Sequence, residues 1–188
     1  FMKAFDDAVF VRVEERLRAA VLAQVQAYRD GEQGVDLAKL KAAVGIFIDV
    51  GAALHLSAYA KDFERDYMGA LRRTLQLQAT GELTSETGQL TFLKSVEAHE
   101  ALELHVARNV LHPGSAALVS NAITEVMLVP FFNVIIKHPE SGCHALLRDG
   151  RAEDLQRMYA FMKRVKSRAV RPCTPSASRR WPRAARCC

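Results

Sequence analysis

Apolar residues recur at steps of three and four along this chain from Phe10 to Val165, and nowhere do they alternate strictly with polar ones. A period near 3.6 keeps such residues on one face of a helix, whereas a half-buried strand needs a period of two. The fold class this predicts is all-α, a helical bundle in which each helix buries one stripe. An apolar content of 49% beside 25% charged residues suits a globular body of that kind.

The stripes can be followed one by one. Phe10, Val13, Leu17, Val21, Val25 and Tyr28 share a face of a first helix, which "RDGEQG" at 29–34 stops. Asp36 is placed to cap a second helix carrying Leu37, Leu40, Val44, Phe47 and Ile48 and ending at Gly51. Tyr59, Phe63, Tyr67, Leu71 and Leu75 form a third stripe, followed by a turn over "TGELTSETG", 80–88. A fourth helix is predicted from about Gln89 to Leu111 and broken by "HPG" at 112–114. A fifth carries Val119, Ile123, Val126, Val134 and Ile135, with Pro130 kinking it from inside. A short helix follows, then a turn at Asp149 and Gly150. The last helix buries Leu155, Met158, Tyr159, Met162 and Val165, with acidic residues in its first turn and basic ones in its last.

Residues 167–188, "SRAVRPCTPSASRRWPRAARCC", break these patterns, and only Trp181 is large and apolar. Such a segment buries too little surface to offset its ordering entropy, so it reads as a basic disordered tail or as out-of-frame sequence. Nine of the 26 basic residues, and none of the 21 acidic ones, lie from Lys163 onward. The body is therefore mildly acidic and gives no reason to expect a nucleic-acid partner. Three of the four cysteines, Cys173, Cys187 and Cys188, also fall in the tail, and no pair has zinc-finger spacing. A reducing intracellular setting follows most simply. No apolar run reaches the roughly 20 residues of a membrane span, so no membrane partner is expected. The chain opens on Phe1 and Met2, as if cut from something longer.

Two groups of residues invite a chemical reading. "HEALELH", His99 to His105, resembles a zinc-protease motif, but its second histidine stands six residues on and Glu103 occupies the place a ligand would need. Six residues are about 240° around a helix, so the imidazoles diverge, and a solvated charged face is the better expectation. Cys143 and His144 could be nucleophile and base, but helical neighbours point about 100° apart and no orienting third group is apparent. Phosphate loops, GxSxG elbows and Rossmann glycines are absent. No catalytic residue, metal ligand or cofactor is expected.

Several blocks, in order and at matching separations, resemble the cullin family. "SGCHALLRDG" followed by "EDLQRMY" is similar to cullins of the SCF type, the plant-like ones especially. "RLRAAVLAQVQAYRDGEQGVDLAKLKAAVGIFIDVG" resembles the family's long helix, its Arg-x-Gly-Glu turn and the helix after it. "YAKDFERDYM" resembles a Tyr-x-x-Asp-Phe-Glu block, and "FLKSVEA" a Tyr-Leu-x-x-Val-Glu-Ala pattern more loosely. The resemblance covers residues 5–166 and departs at "HEALELHVARNVL" and at Pro130.

It implies a scaffold, not a catalyst. Cullins are curved stalks of five-helix repeats that bear an F-box-type adaptor at the first repeat and a RING-box protein at the C-terminal region. On this basis residues 1–34 are a helix linking the first and second repeats, and residues 35–166 hold the second repeat and the start of the third. The adaptor and RING contacts, and the lysine that takes a ubiquitin-like modifier, are expected outside this chain, in a protein of cytoplasm and nucleus. The charge split supports a different expectation, a helical interaction module with a basic nucleic-acid or membrane-binding tail.

Overall fold

The computed structural model describes residues 10–53 and 59–169, and the tail beyond Ala169 lies outside them. Eight α-helices carry the described chain: α1 (Val11–Arg29), α2 (Leu37–Ala53), α3 (Arg65–Leu83), α4 (Glu86–Val110), α5 (Ser115–Ile123), α6 (Phe132–Lys137), α7 (Cys143–Arg148) and α8 (Ala152–Ala169). A π-helical turn, Tyr59–Glu64, runs into α3, and a second, Thr124–Leu128, continues α5. No strand occurs among the described residues.

The first two helices form where the stripes placed them. Gly31 and Gly34, at φ 78° and 94°, take left-handed backbone that side chains disfavour, and so end α1 sharply. The Asp36 carboxylate then accepts the backbone N–H groups of Ala38 (2.9 Å) and Lys39 (3.2 Å), capping α2. These hydrogen bonds, that from Lys39 first, hold its carboxyl below the usual aspartate range. The 25-residue α4 is the central strut, with α2, α3 and α5 packed along it.

Between these helices runs one core. Phe10 meets Phe47 edge-on (5.5 Å), Phe47 meets Phe63 (5.2 Å), and Phe63 lies between Tyr59 (5.8 Å) and Tyr67 (6.2 Å). The predicted stripe of α3 is buried as expected: Phe63, Tyr67 and Leu71 are 0% exposed. Each such side chain contributes about 1.5–3 kcal/mol by leaving water.

Four expectations need correction. The turn after α3 is only Thr84 and Ser85, because helix continues to Leu83 and resumes at Glu86. Pro130 does not kink one helix but separates two. The π-turn widens the ladder so that Val129 N–H bonds Thr124 O five residues back (3.0 Å), and proline, without an N–H, cannot continue it. Val13 and Val134 lie outward at 40% and 52% exposure. On α8, Tyr159 is 68% exposed, and Phe161 is buried with Met158, Met162 and Val165.

Candidate functional site

The histidines of "HEALELH" diverge as their spacing requires. His99 Nε2 lies 3.4 Å from a Glu82 oxygen on α3, whereas His105 stacks on Tyr28 of α1 at 6.4 Å. No group of three metal-ligating side chains occurs among the described residues. Cys143 opens α7 and faces an apolar groove beside Phe132 and Ile136, while His144 is exposed on the helix surface. Adjacent in sequence, they serve different environments.

The expected solvated face is where the structure differs most. Glu103, taken from sequence as a surface residue, has a side chain only 5% exposed, and Arg29 from the end of α1 is buried to the same degree. The guanidinium grips the carboxylate at both oxygens, Nε to Oε1 at 2.6 Å and Nη2 to Oε2 at 2.9 Å. Tyr67 of α3 donates its hydroxyl to Oε2 (3.3 Å), and its ring lies under the guanidinium at 5.4 Å. Burial foremost, then the Glu103 charge, pushes the Tyr67 phenol far above its ordinary range, so it stays a donor. Burial tends to lower the Arg29 pKa, but Glu103 outweighs it and raises the guanidinium further. Three helices thus converge on one fully paired ionic cluster.

One turn away on α4, Glu100 makes a second fork. Arg164 of α8 donates to both of its oxygens at 2.8 Å and to Ser120 Oγ (2.9 Å) and Thr124 Oγ1 (3.0 Å) of α5 and its π-turn. Burial would raise the Glu100 pKa, yet hydrogen bonds from Arg164 and Ser120 hold the carboxyl below the usual range. The Arg164 side chain keeps 34% exposure, so this fork is wetter than the first. Through Glu100 and Glu103, α4 holds helices from both ends of the described chain.

Neither cluster was legible as such. A signal existed for Glu103: with Phe92, Val96, Val106 and Val110 it shares the buried stripe of α4, so a carboxylate falls in an apolar register. Arg29 follows Val25 by four residues, but there the turn signal of the glycines dominated the reading.

A shallower feature lies at the other end. Phe132, Ile136, Leu147, Leu155, Tyr159 and Met162 line an open apolar groove of about 560 Å³ between α6, α7 and α8. Leu147 is 61% exposed there. No described helix is long and apolar enough to cross a membrane.

The family model described as the cullin alpha solenoid domain matches residues 1–178, reaching past the blocks recognisable by eye. Cullin-1 of Oryza sativa subsp. japonica is 28% identical over 173 residues, which are 91% of this chain and 22% of that protein. Cullin-2 of Arabidopsis thaliana is 28% identical over 156 residues, 83% of this chain and 21% of its own length. Cullin-3 of Dictyostelium discoideum is 27% identical over 154 residues, 81% of this chain and 20% of its own. The chain therefore spans about a fifth of the length of each of these three relatives.

Proposed function

The chain belongs to the cullin family, and from that premise we propose that it is a non-catalytic stalk segment of a scaffold for a cullin-RING ubiquitin ligase, acting in ubiquitin-dependent degradation in cytoplasm and nucleus. The observation that carries this is the solenoid match over nearly the whole chain, joined to a described body in which two bidentate ion pairs brace helices against one another. A spacer must transmit position without bending, and helices packed on one strut with both flanks clamped by bidentate ion pairs suit that task.

In this reading residues 1–34 link the first repeat to the second, and residues 35–166 hold the second repeat and the beginning of the third. The groove over α6–α8 is then the apolar face on which the later helices of the third repeat pack, as stacking repeats bury what one repeat leaves open. The contacts with an F-box-type adaptor and a RING-box protein belong to other parts of the assembled protein.

The test is capture of the intact gene product from its own cells under gentle salt. Recovery of an F-box-type adaptor together with a RING-box protein is expected. Recovery of neither overturns the reading.

A further inference from the structure

The tetrapeptide pattern His-Pro-x-Ser occurs twice, at His112–Ser115, whose serine opens α5, and at His138–Ser141, just before α7. In both, the imidazole does what an aspartate or asparagine oxygen does in an Asx-turn. Its Nδ1, one bond beyond Cγ like an Oδ1, accepts the backbone N–H two residues on. His112 Nδ1 accepts from Gly114 N–H at 3.2 Å. His138 Nδ1 accepts from Glu140 N–H (3.3 Å) and Ser141 N–H (3.1 Å), and lies 2.8 Å from the Ser141 hydroxyl, which can donate to it or accept from it. The intervening proline has no N–H to compete and fixes the backbone that turns the next N–H inward.

The second turn is the tighter one. Gly142 N–H closes it on His138 O (2.9 Å), and a Cβ at Gly142 would run into the carbonyl oxygens of Ile136 and His138. Backbone N–H groups can only donate, so Nδ1 must present a lone pair and the proton of the neutral ring sits on Nε2. A protonated ring has no such lone pair: the Ser141 hydroxyl can turn to accept from it, but the two backbone N–H groups would then face an N–H.

We propose that the His138 turn, and more weakly the exposed His112 turn, is an acid-sensitive cap: neutral imidazole closes the α6–α7 corner and protonation opens it. The corner borders the apolar groove, since Ile136 precedes it and Cys143 and Leu147 follow it. Opening it loosens one wall of that groove.

The charged groups nearby are Lys137 and Glu140 in sequence and His144 and Arg148 on α7. Lys94 of α4, with Arg151, Asp154 and Arg157 at the start of α8, lines the depression that Ser141 also lines. Beside His112 stand Tyr59 and Glu64, the latter bonded to Ser115. Lysine, arginine, tyrosine and carboxylate side chains ordinarily keep their charge between pH 7.5 and 5.5, about the window in which imidazoles take up a proton. Any change in His144 is common to the variants below and cancels.

The decisive variant is His138→Asn, which keeps an acceptor at the same position but cannot titrate. Thermal unfolding of the 188-residue chain is followed at pH 7.5 and 5.5 for wild type, H138N and H138A. Wild type should lose about 3 °C more than H138N over that step, and H138A should start about 3 °C lower and match the shallower slope. Equal slopes for wild type and H138N overturn the proposal, and that pair decides the matter if H138A does not fold. Imidazole 15N shifts at pH 7.5 give an independent reading: the Nε2–H tautomer at His138 is required, and the Nδ1–H tautomer overturns it.

Discussion

Glu100 and Glu103 stand three residues apart on the same helix, and both hold an arginine by two parallel hydrogen bonds, yet they are different devices. Arg29–Glu103 is dry, 5% exposed on each side, and joined by a tyrosine that cannot ionise in its place. Arg164–Glu100 is 34% and 16% exposed and shared with two hydroxyl groups, that of Ser120, which donates to Glu100, and that of Thr124, which accepts from Arg164. Arg29 binds through Nε and Nη2 and Arg164 through Nη1 and Nη2, but both forks are bidentate at 2.6–2.9 Å, so surroundings decide what each contributes. In the dry pair the charges have paid a large desolvation cost that only pairing repays, whereas in the wetter pair water remains a partial substitute.

The largest expected effect comes from breaking the dry pair on one side. Arg29→Met alone, or Glu103→Leu alone, leaves a buried charge without its partner and should cost about 3–5 kcal/mol in urea unfolding. The double variant removes both charges and should recover much of that loss, the remainder being the buried Tyr67 hydroxyl, which loses its acceptor. Two single losses that simply add in the double variant would mean that the residues act separately and that the cluster is not one unit.

The wetter pair should show itself through acid. The folded-state pKa of Glu100 lies below its ordinary value, so its contribution is present above about pH 4.5 and is lost as pH falls through the folded value. Glu100→Gln should cost about 1–2 kcal/mol at pH 7 and flatten the stability profile below pH 5. An acid profile unchanged by that substitution would assign the acid loss to other carboxylates.

The same contrast marks how far the sequence could be read. Helices, their order and the buried aromatic stripe were legible because period and burial are local signals: Tyr59, Phe63, Tyr67, Leu71 and Leu75 needed only their spacing. Tyr159 and Phe161 on α8 were confused because a stripe tells which face is apolar but not where the edge of that face meets solvent. Pro130 announced a disturbance, and only the π-turn before it decides that the helix ends. The Arg29–Glu103 cluster is 74 residues apart in sequence and depends on how three helices meet, which no local pattern encodes. The capping role proposed for His138 left no signal for another reason: histidine is not among the usual capping residues.

The smallest expected effect completes the series. Arg72 and Glu125 join α3 to the π-turn after α5 with a contact of 2.6 Å, as short as any distance in the dry cluster, but their side chains are 46% and 41% exposed. At such exposure the Coulomb gain is screened and offset by the entropy of fixing two long side chains. Arg72→Ala should therefore change stability by no more than about 0.5 kcal/mol, and raising the salt to about 1 M should remove even that difference. If R72A instead approached the loss of a dry-pair single variant, distance rather than burial would be governing these ion pairs. The ranking of these three ion pairs would then have to be drawn from their geometry alone.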